Sequence, residues 1–376
     1  MKSSVHSMSW GSKYTKSLSK GCKQCISGQK LVVLVTTKCS SRCFYCPISL
    51  ERKASPFAFA NERPIRKIED LIIEKTIMDA KGASMTGGDP LESHSFNQTL
   101  QFCKLLRLKS KSFHIHVYTR GKDLDEEKLT AIAPYISEIR FHVKNIENDF
   151  RSIKLALKTT LDVGIEVPII PTKDIKYYQK LIKTFENLIE GKKQFYFINL
   201  NELEVSETNY RNLLAHGLKC DPNNLSAVAG SFKLGHEIVS WANLNSNVPV
   251  HFCSLRTKDT VQLPNRLYRI AQSVHLPSDV IIKSGVDRGL LIRGVIESKI
   301  DILKEIKEVL ITEFDVPEEW VHLDNKKLRI LTNAGLLEDL KDDLLLLFPN
   351  LKLGIVEEYP TYDQLQTTYI PLKKIN

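Results

Sequence analysis

Cys39, Cys43 and Cys46 fall within eight residues, directly after the apolar run Leu31 to Val35. Three thiolates this close can hold three corners of an iron–sulfur cube and leave the fourth iron free to bind a substrate or cofactor. A second pair, Cys22 and Cys25, forms a CxxC preceded by Gly21, and Cys253 lies far downstream in VPVHFCS. With Cys220 or His251 as a fourth ligand, these three would bind an auxiliary iron–sulfur cluster or a zinc ion. A different pairing is also open. Cys22xxCys25 and Cys43xxCys46 are separated by seventeen residues, which fits a four-cysteine zinc ribbon and, beside basic residues, a nucleic-acid-binding module. That pairing leaves Cys39 over. Cys103 sits on the apolar stripe of a helix and reads as core packing.

These cysteines need a scaffold, and the chain supplies alternating strand and helix patterns. Strands are expected at Leu31 to Thr37, Ala83 to Thr86, Phe113 to Thr119, Ile136 to Val143, Ile165 to Ile170 and Phe195 to Leu200. Helices are expected between them at Lys67 to Lys81, Ser95 to Leu108, Glu126 to Ile132, Asp149 to Val163 and Ile175 to Ile189, from apolar residues at helical spacing. About six strand–helix repeats near thirty residues apart indicate a parallel α/β structure, best fitted by a full or partial (β/α) barrel. In the third strand His114, His116 and Tyr118 share one face, and in the fourth Glu138, Arg140 and His142 do so. If the apolar faces carry the helices, these polar faces line the interior. Barrel interiors are ordinarily filled by branched aliphatic side chains, so a polar lining suggests a ligand-holding interior.

The second strand ends at Gly87, Gly88, Asp89 and Pro90. Adjacent glycines let the backbone approach a ligand without Cβ interference, and the proline fixes the exit of the loop. Strand C-terminal ends are where α/β enzymes build their sites.

The chain has 376 residues and a net charge of +9, long enough for a core domain of roughly 200–250 residues and a smaller unit. Three domains are expected: a basic N-terminal extension with the CxxC (1–30), a core (31–272) and a C-terminal α+β unit (273–376). No acidic residue precedes Glu51, whereas Lys2, Lys13, Lys16, Lys20, Lys23, Lys30, Lys38 and Arg42 are basic. From Ser273 onward acids outnumber bases by 18 to 13. A basic front half suits an anionic partner such as RNA. Neither a signal peptide nor a run of about 18 apolar residues is seen, so a reducing cytoplasm is the expected compartment and clustered cysteines are metal ligands before they are disulfides.

The loop Cys39-Ser-Ser-Arg-Cys43-Phe44-Tyr45-Cys46 resembles the CxxxCxΦC signature of radical S-adenosylmethionine (SAM) enzymes, with Tyr45 at the aromatic position. Gly87 to Pro90 is similar to their GGEP motif, with Asp89 in place of Glu. The stretches GCKQC, FYCPIS, ANERPI, TGGDPL and FHIHVYT resemble a largely archaeal group related to pyruvate formate-lyase activating enzymes. The resemblance covers roughly residues 20 to 270 and implies a partial (β/α)6 TIM-like barrel. It also implies a [4Fe–4S] cluster on Cys39, Cys43 and Cys46, whose fourth iron is chelated by SAM. An electron from a donor such as ferredoxin or flavodoxin would cleave SAM to methionine and a 5′-deoxyadenosyl radical, which abstracts a substrate hydrogen. Gly87, Gly88 and Asp89 would position the methionine amine, with Pro90 in the same cofactor-binding loop, and the backbone at Tyr45 would meet the adenine. His116, Arg140 and His142, chosen by inward parity, are expected to contact ribose and carboxylate. RNA is the first substrate class considered, a protein or peptide the second and a small metabolite the third.

Overall fold

The computed structural model describes residues 4–108 and 110–373, so Lys2 lies outside the described residues. Two compact units divide the chain. The first runs to Thr76 and takes up Ala80–Gln262; the second comprises Ile77–Asp79 and the chain from Leu263 onward.

The first unit is a partial (β/α) barrel. Its parallel strands are β1 (Lys30–Thr36), β2 (Gly82–Gly87), β3 (His114–Thr119), β4 (Glu138–Phe141), β5 (Asp162–Ile169), β6 (Tyr196–Glu202) and β7 (Val250–Cys253). They lie side by side in chain order, each parallel to the next. Six are the repeats expected from sequence, and β7 adds a seventh. Antiparallel strands flank both edges: Lys13–Tyr14 against β7, and the hairpin Ala58–Ala60 and Arg63–Ile65 against β1. Residues 13–14 are therefore built into the sheet rather than forming a separate extension.

The helices form where the sequence provides caps and stripes. In Ile175–Leu188 the Asp174 carboxylate accepts from the Tyr177 N–H at 3.0 Å, and Tyr178, Leu181, Ile182 and Phe185 form the buried stripe. The helix expected at Asp149 to Val163 ends at Ala156, and β5 has begun by Asp162. Thr159 ends it, because its N–H and hydroxyl both bond the Ala156 carbonyl, at 3.0 and 2.7 Å.

The parity read from sequence holds. Ile115, Val117, Ile139 and Phe141 are buried beneath the helices, whereas His114, His116, Glu138 and Arg140 are buried on the other face. One element was not anticipated. Helix α1 (Lys20–Ile26) packs against this polar face: a Cβ on Gly21 would stand 2.4 Å from Arg140 Nη2 and 2.6 Å from His116 Nδ1. Its cap Ser19 accepts from the Cys22 N–H at 3.1 Å and from Arg140 Nη2 at 3.0 Å. Only glycine permits so close an approach. No helix among the described residues is long and apolar enough to cross a membrane.

The second unit is α+β. Its antiparallel sheet contains Leu291–Glu297, flanked by Arg329–Thr332 and Lys352–Glu358, with Gln366–Leu372 beyond the latter. Helices Ile300–Thr312 and Ala334–Leu347 cover an apolar core around Ile296, Ile306, Leu310, Ile330 and Leu344. This unit begins at Leu263 rather than at residue 273. Helix Leu263–Val274 belongs to it, since the Arg288 guanidinium stacks 4.1 Å from the Tyr268 ring and bonds Asn265 at 2.6 Å.

Candidate functional site

The chain's largest cluster of motif residues meets at the C-terminal ends of the strands. Cys39, Cys43, Cys46, Tyr45, Gly87, Gly88, Asp89 and His142 all line one cavity of about 660 Å³, within the range of small-molecule sites, about 300–1,000 Å³. Its wall also includes Thr119, Arg120, Glu166, Asn201, Glu204, Lys258 and, from α1, Cys25.

The cysteine loop is held from several sides. Glu92 accepts from the Ser40 N–H at 3.1 Å and from its hydroxyl at 2.6 Å. Arg120 Nη1 donates to Ser41 Oγ at 3.2 Å, while its Nη2 donates to both carboxylate oxygens of Asp149, at 2.8 and 2.7 Å. Lys144 Nζ donates to the Ser41 carbonyl at 3.2 Å, and Asn209 to the Tyr45 carbonyl at 3.1 Å. Charge-assisted and bidentate contacts of this kind fix position as well as adding energy. All three cysteines remain free thiols.

The glycine loop lies directly against this segment. Gly88 N–H donates to the Thr36 carbonyl at 2.6 Å and Asp89 N–H to the Lys38 carbonyl at 3.2 Å. Gly87 has φ of 126°, outside the range of ordinary L-residues, and a Cβ on Gly88 would stand 1.8 Å from the Lys38 carbonyl oxygen. Gly88→Ala must therefore displace Lys38, the residue before Cys39. The expected result is a loss of about 1–3 kcal/mol, measured by denaturant titration. Stability equal to that of wild type would show that the close approach is dispensable.

Asp89 has a mainly structural carboxylate. Oδ1 accepts from Thr119 Oγ1 at 2.8 Å and Leu91 N–H at 3.0 Å, and Oδ2 from Arg120 N–H at 2.8 Å. Burial pushes its pKa up, against these hydrogen bonds. Pro90 is not part of the cavity wall; its carbonyl accepts from Thr99 Oγ1 at 2.7 Å.

The three inward residues divide. His142 reaches the cavity, with Nε2 2.8 Å from Tyr45 Oη and Nδ1 3.2 Å from the Glu166 carbonyl; burial pushes its pKa down to about 4. His116 and Arg140 do not line it. His116 is fully buried, and a Cβ on Gly21 of α1 would stand 2.6 Å from its Nδ1. Arg140 is committed to Glu138 and Glu166, at 2.5 and 2.6 Å, and to Ser19. Parity gave the face of the sheet; it did not give the depth along the strands. Glu166, Asn201 and Lys258 were missed, although each stands on or just beyond a strand that ends at the cavity, a position that could have flagged them. Asn201 Nδ2 donates to Glu166 Oε1 at 2.8 Å.

Beneath the cavity wall lies an ionic network. Lys30, counted in the sequence among the basic N-terminal residues, is buried with Nζ 2.8 Å from His114 Nδ1, and burial brings its pKa down to about 8. Burial would raise the Glu138 carboxyl, but Arg140 and His114 outweigh it and hold it at about 2. His114, His116 and Glu138 are the one group of three ligand-type side chains within 4.8 Å among the described residues. Arg140 and Lys30 already place two cations on that group, which makes it an ion-pair core rather than a vacant cation site.

Residues 33–190 match the radical SAM superfamily, and residues 289–372 match a domain family of unknown function. A Methanocaldococcus jannaschii protein, provisionally named a glycyl-radical enzyme activating enzyme, is 34% identical over 94% of this chain and 93% of its own length. The chain belongs to the radical SAM superfamily. Among solved structures, the radical SAM methyltransferase TsrM from Kitasatospora setae, with cobalamin and a [4Fe–4S] cluster bound, is similar at a TM-score of 0.34 and 12% identity. That likeness covers 51% of this chain and 41% of that one.

Radical SAM proteins use a [4Fe–4S] cluster and SAM. The donor set fits the pair: three free thiols on a clamped loop and a glycine backbone that no Cβ shields, all on one cavity. The zinc-ribbon pairing is not gathered. Zinc bonds at about 2.3 Å would bring tetrahedral sulfurs to about 3.8 Å of one another, whereas among the described residues no three thiols lie within 4.8 Å. Cys103 is fully buried on its helix, and Cys220 lies on a hairpin with Asn224–Val228.

Proposed function

We propose that this radical SAM protein reductively cleaves SAM at the cavity, with Cys39, Cys43 and Cys46 as cluster ligands, and abstracts hydrogen from a polypeptide. The observation that carries the reading is the convergence of those thiols with Gly87 and Gly88 on one cavity wall. The bound cluster, given an electron from a ferredoxin- or flavodoxin-type donor, would supply cleavage of SAM to methionine and a 5′-deoxyadenosyl radical.

The remaining work belongs to side chains and backbone of the chain. Gly87 and Gly88 leave their backbone open to a bound amino acid moiety. Tyr45 and His142, joined at 2.8 Å, form a rigid polar wall. Neutral at physiological pH, His142 can exchange hydrogen bonds without bringing a charge. Arg120 and Lys258 add cationic character for a carboxylate, and Glu166 with Asn201 offers acceptors and donors to hydroxyls.

Two observations favour a polypeptide over RNA. The relative's name describes an enzyme acting on another enzyme. The basic N-terminal segment is partly spent inside the fold, Lys30 in the interior and Lys16 bonding the Ser246 carbonyl at 2.8 Å. The test is anaerobic incubation with SAM and a strong reductant, in wild type and Cys43→Ala. Wild type should form 5′-deoxyadenosine and Cys43→Ala none; a wild type without product overturns the cleavage reading. Deuterium passing into 5′-deoxyadenosine from a deuterated cell protein fraction is the expected substrate result. Transfer from the RNA fraction alone would overturn it.

A further inference from the structure

We propose that Cys22, Cys25 and Cys253 hold a second iron–sulfur cluster in the barrel interior, with His251 Nε2 as its fourth donor. This goes beyond the SAM-cleaving site and does not depend on it.

The four residues come from two elements. Cys22 and Cys25 stand three apart on α1, hence on one helix face, and His251 and Cys253 stand two apart on β7, hence on one strand face. Asn199, on the neighbouring strand β6, ties them together. Its Oδ1 lies 3.9 Å from Cys22 Sγ and 2.5 Å from His251 Nδ1, and it pairs in register with His251 as Asn201 does with Cys253. Arg140 Nη2 stands 3.7 Å from Cys22 Sγ, and Gln262 Nε2 stands 3.4 Å from Cys253 Sγ. Hydrogen-bond donors aimed at sulfur are the surroundings that iron–sulfur thiolates use.

A second observation points independently to a ligand. His251 is 95% buried, being 5% exposed, and its Nε2 has no hydrogen-bond partner among the described residues. Orphaned buried nitrogens are rare and costly. Because Nδ1 faces the Asn199 oxygen, Nδ1 carries the proton and Nε2 presents its lone pair. This is the tautomer that a metal requires.

Charge supports an anionic occupant. Around the thiols, the buried Lys30 and Arg140 are offset by the buried Glu138 and the half-buried Glu166. Lys258, which lines the cavity just beyond Cys253, places a cation beside that thiol, with Glu204 and Asp259 also near it. A [4Fe–4S]2+ core with three thiolates and a neutral imidazole carries a net charge of about −1, complementary to Lys258. Cys25 borders the same cavity as Cys39, Cys43 and Cys46, which places the second cluster at the wall of the SAM-cleaving chamber.

The test is iron and sulfide quantitation, with electron paramagnetic resonance of the reduced protein, on anaerobically reconstituted full-length chain. Wild type should hold about eight irons, and the variant with Cys39, Cys43 and Cys46 all changed to Ala about four. In that background Cys253→Ala should remove the remaining iron, and His251→Ala should change the resonance. A background variant with no iron, one zinc in place of iron, or iron retained after Cys253→Ala overturns the proposal. An unchanged resonance in His251→Ala overturns the histidine assignment. Conversely, iron kept in the Cys39/Cys43/Cys46 variant but absent from a Cys22/Cys25/Cys253 variant would overturn the SAM-site ligands and leave this one standing. Native-like circular dichroism of each variant separates loss of metal from loss of fold.

Discussion

Arg140→Met is expected to destabilise the protein by about 3–5 kcal/mol, because it leaves the Glu138 carboxylate charged and uncompensated in the interior. Glu138 is wholly buried and accepts from Arg140 Nε at 2.5 Å, while Arg140 Nη1 reaches Glu166 at 2.6 Å. The guanidinium also joins the helix cap at Ser19, so its loss loosens α1 as well. Methionine fills most of the volume, which confines the change chiefly to charge. Pairing Arg140→Met with Glu138→Gln should recover a large part of the loss, since the carboxylate no longer needs a counter-ion. Denaturant titration of the two single variants and the double variant measures it. A single variant within about 1 kcal/mol of wild type would show that water or a rearranged lysine reaches Glu138.

A second large effect should appear on acidification. Burial, then Arg140, Lys30 and His114, holds the His116 pKa well below 6.5, and burial holds His142 at about 4. Both stay neutral in the folded chain while the unfolded chain protonates below about pH 6.5, so the unfolded state binds more protons and stability falls as pH falls. Together they account for roughly 2–3 kcal/mol between pH 7 and pH 5.5. Asp89 and Glu74, raised by burial, work in the opposite sense. The slope assigned to one histidine is therefore read by difference. His116→Gln should flatten the stability–pH slope below pH 6 by about 1.4 kcal/mol per pH unit. Identical slopes for the two proteins would mean that His116 is charged in the fold or solvated through an opening.

Sequence pattern revealed those histidines as inward-facing because strand parity is a local property. His114 and His116 alternate with Ile115 and Val117, and the structure keeps that division. Depth is not local. Whether an inward side chain meets a ligand at the strand's end or a helix beneath it depends on inter-strand register, and the His116–Glu138 pairing puts both at the level of Gly21. His116 and Arg140 accordingly lie below the cavity, while His142, at the far end, reaches it. Lys30 shows the same limit in terms of charge. A lysine among seven other bases reads as solvated, but it opens β1 and finds His114 across the glycine of β2. Conversely, the cysteine loop and Gly87–Gly88 were legible because their chemistry depends on residue type and short spacing alone.

The clamps on the cysteine loop have a consequence for biosynthesis. Ser40, Ser41 and Tyr45 are held by groups that the ribosome delivers much later: Glu92, Arg120, Lys144 and finally Asn209, 164 residues beyond Tyr45. Ribosomes add about 5–20 residues per second, so the loop spends on the order of ten seconds or more without its last restraint. During that interval its thiols are tethered to β1 but unposed. A nascent chain stalled before β6 therefore carries Cys39, Cys43 and Cys46 on an unclamped loop, and the ordered loop is a late product of translation.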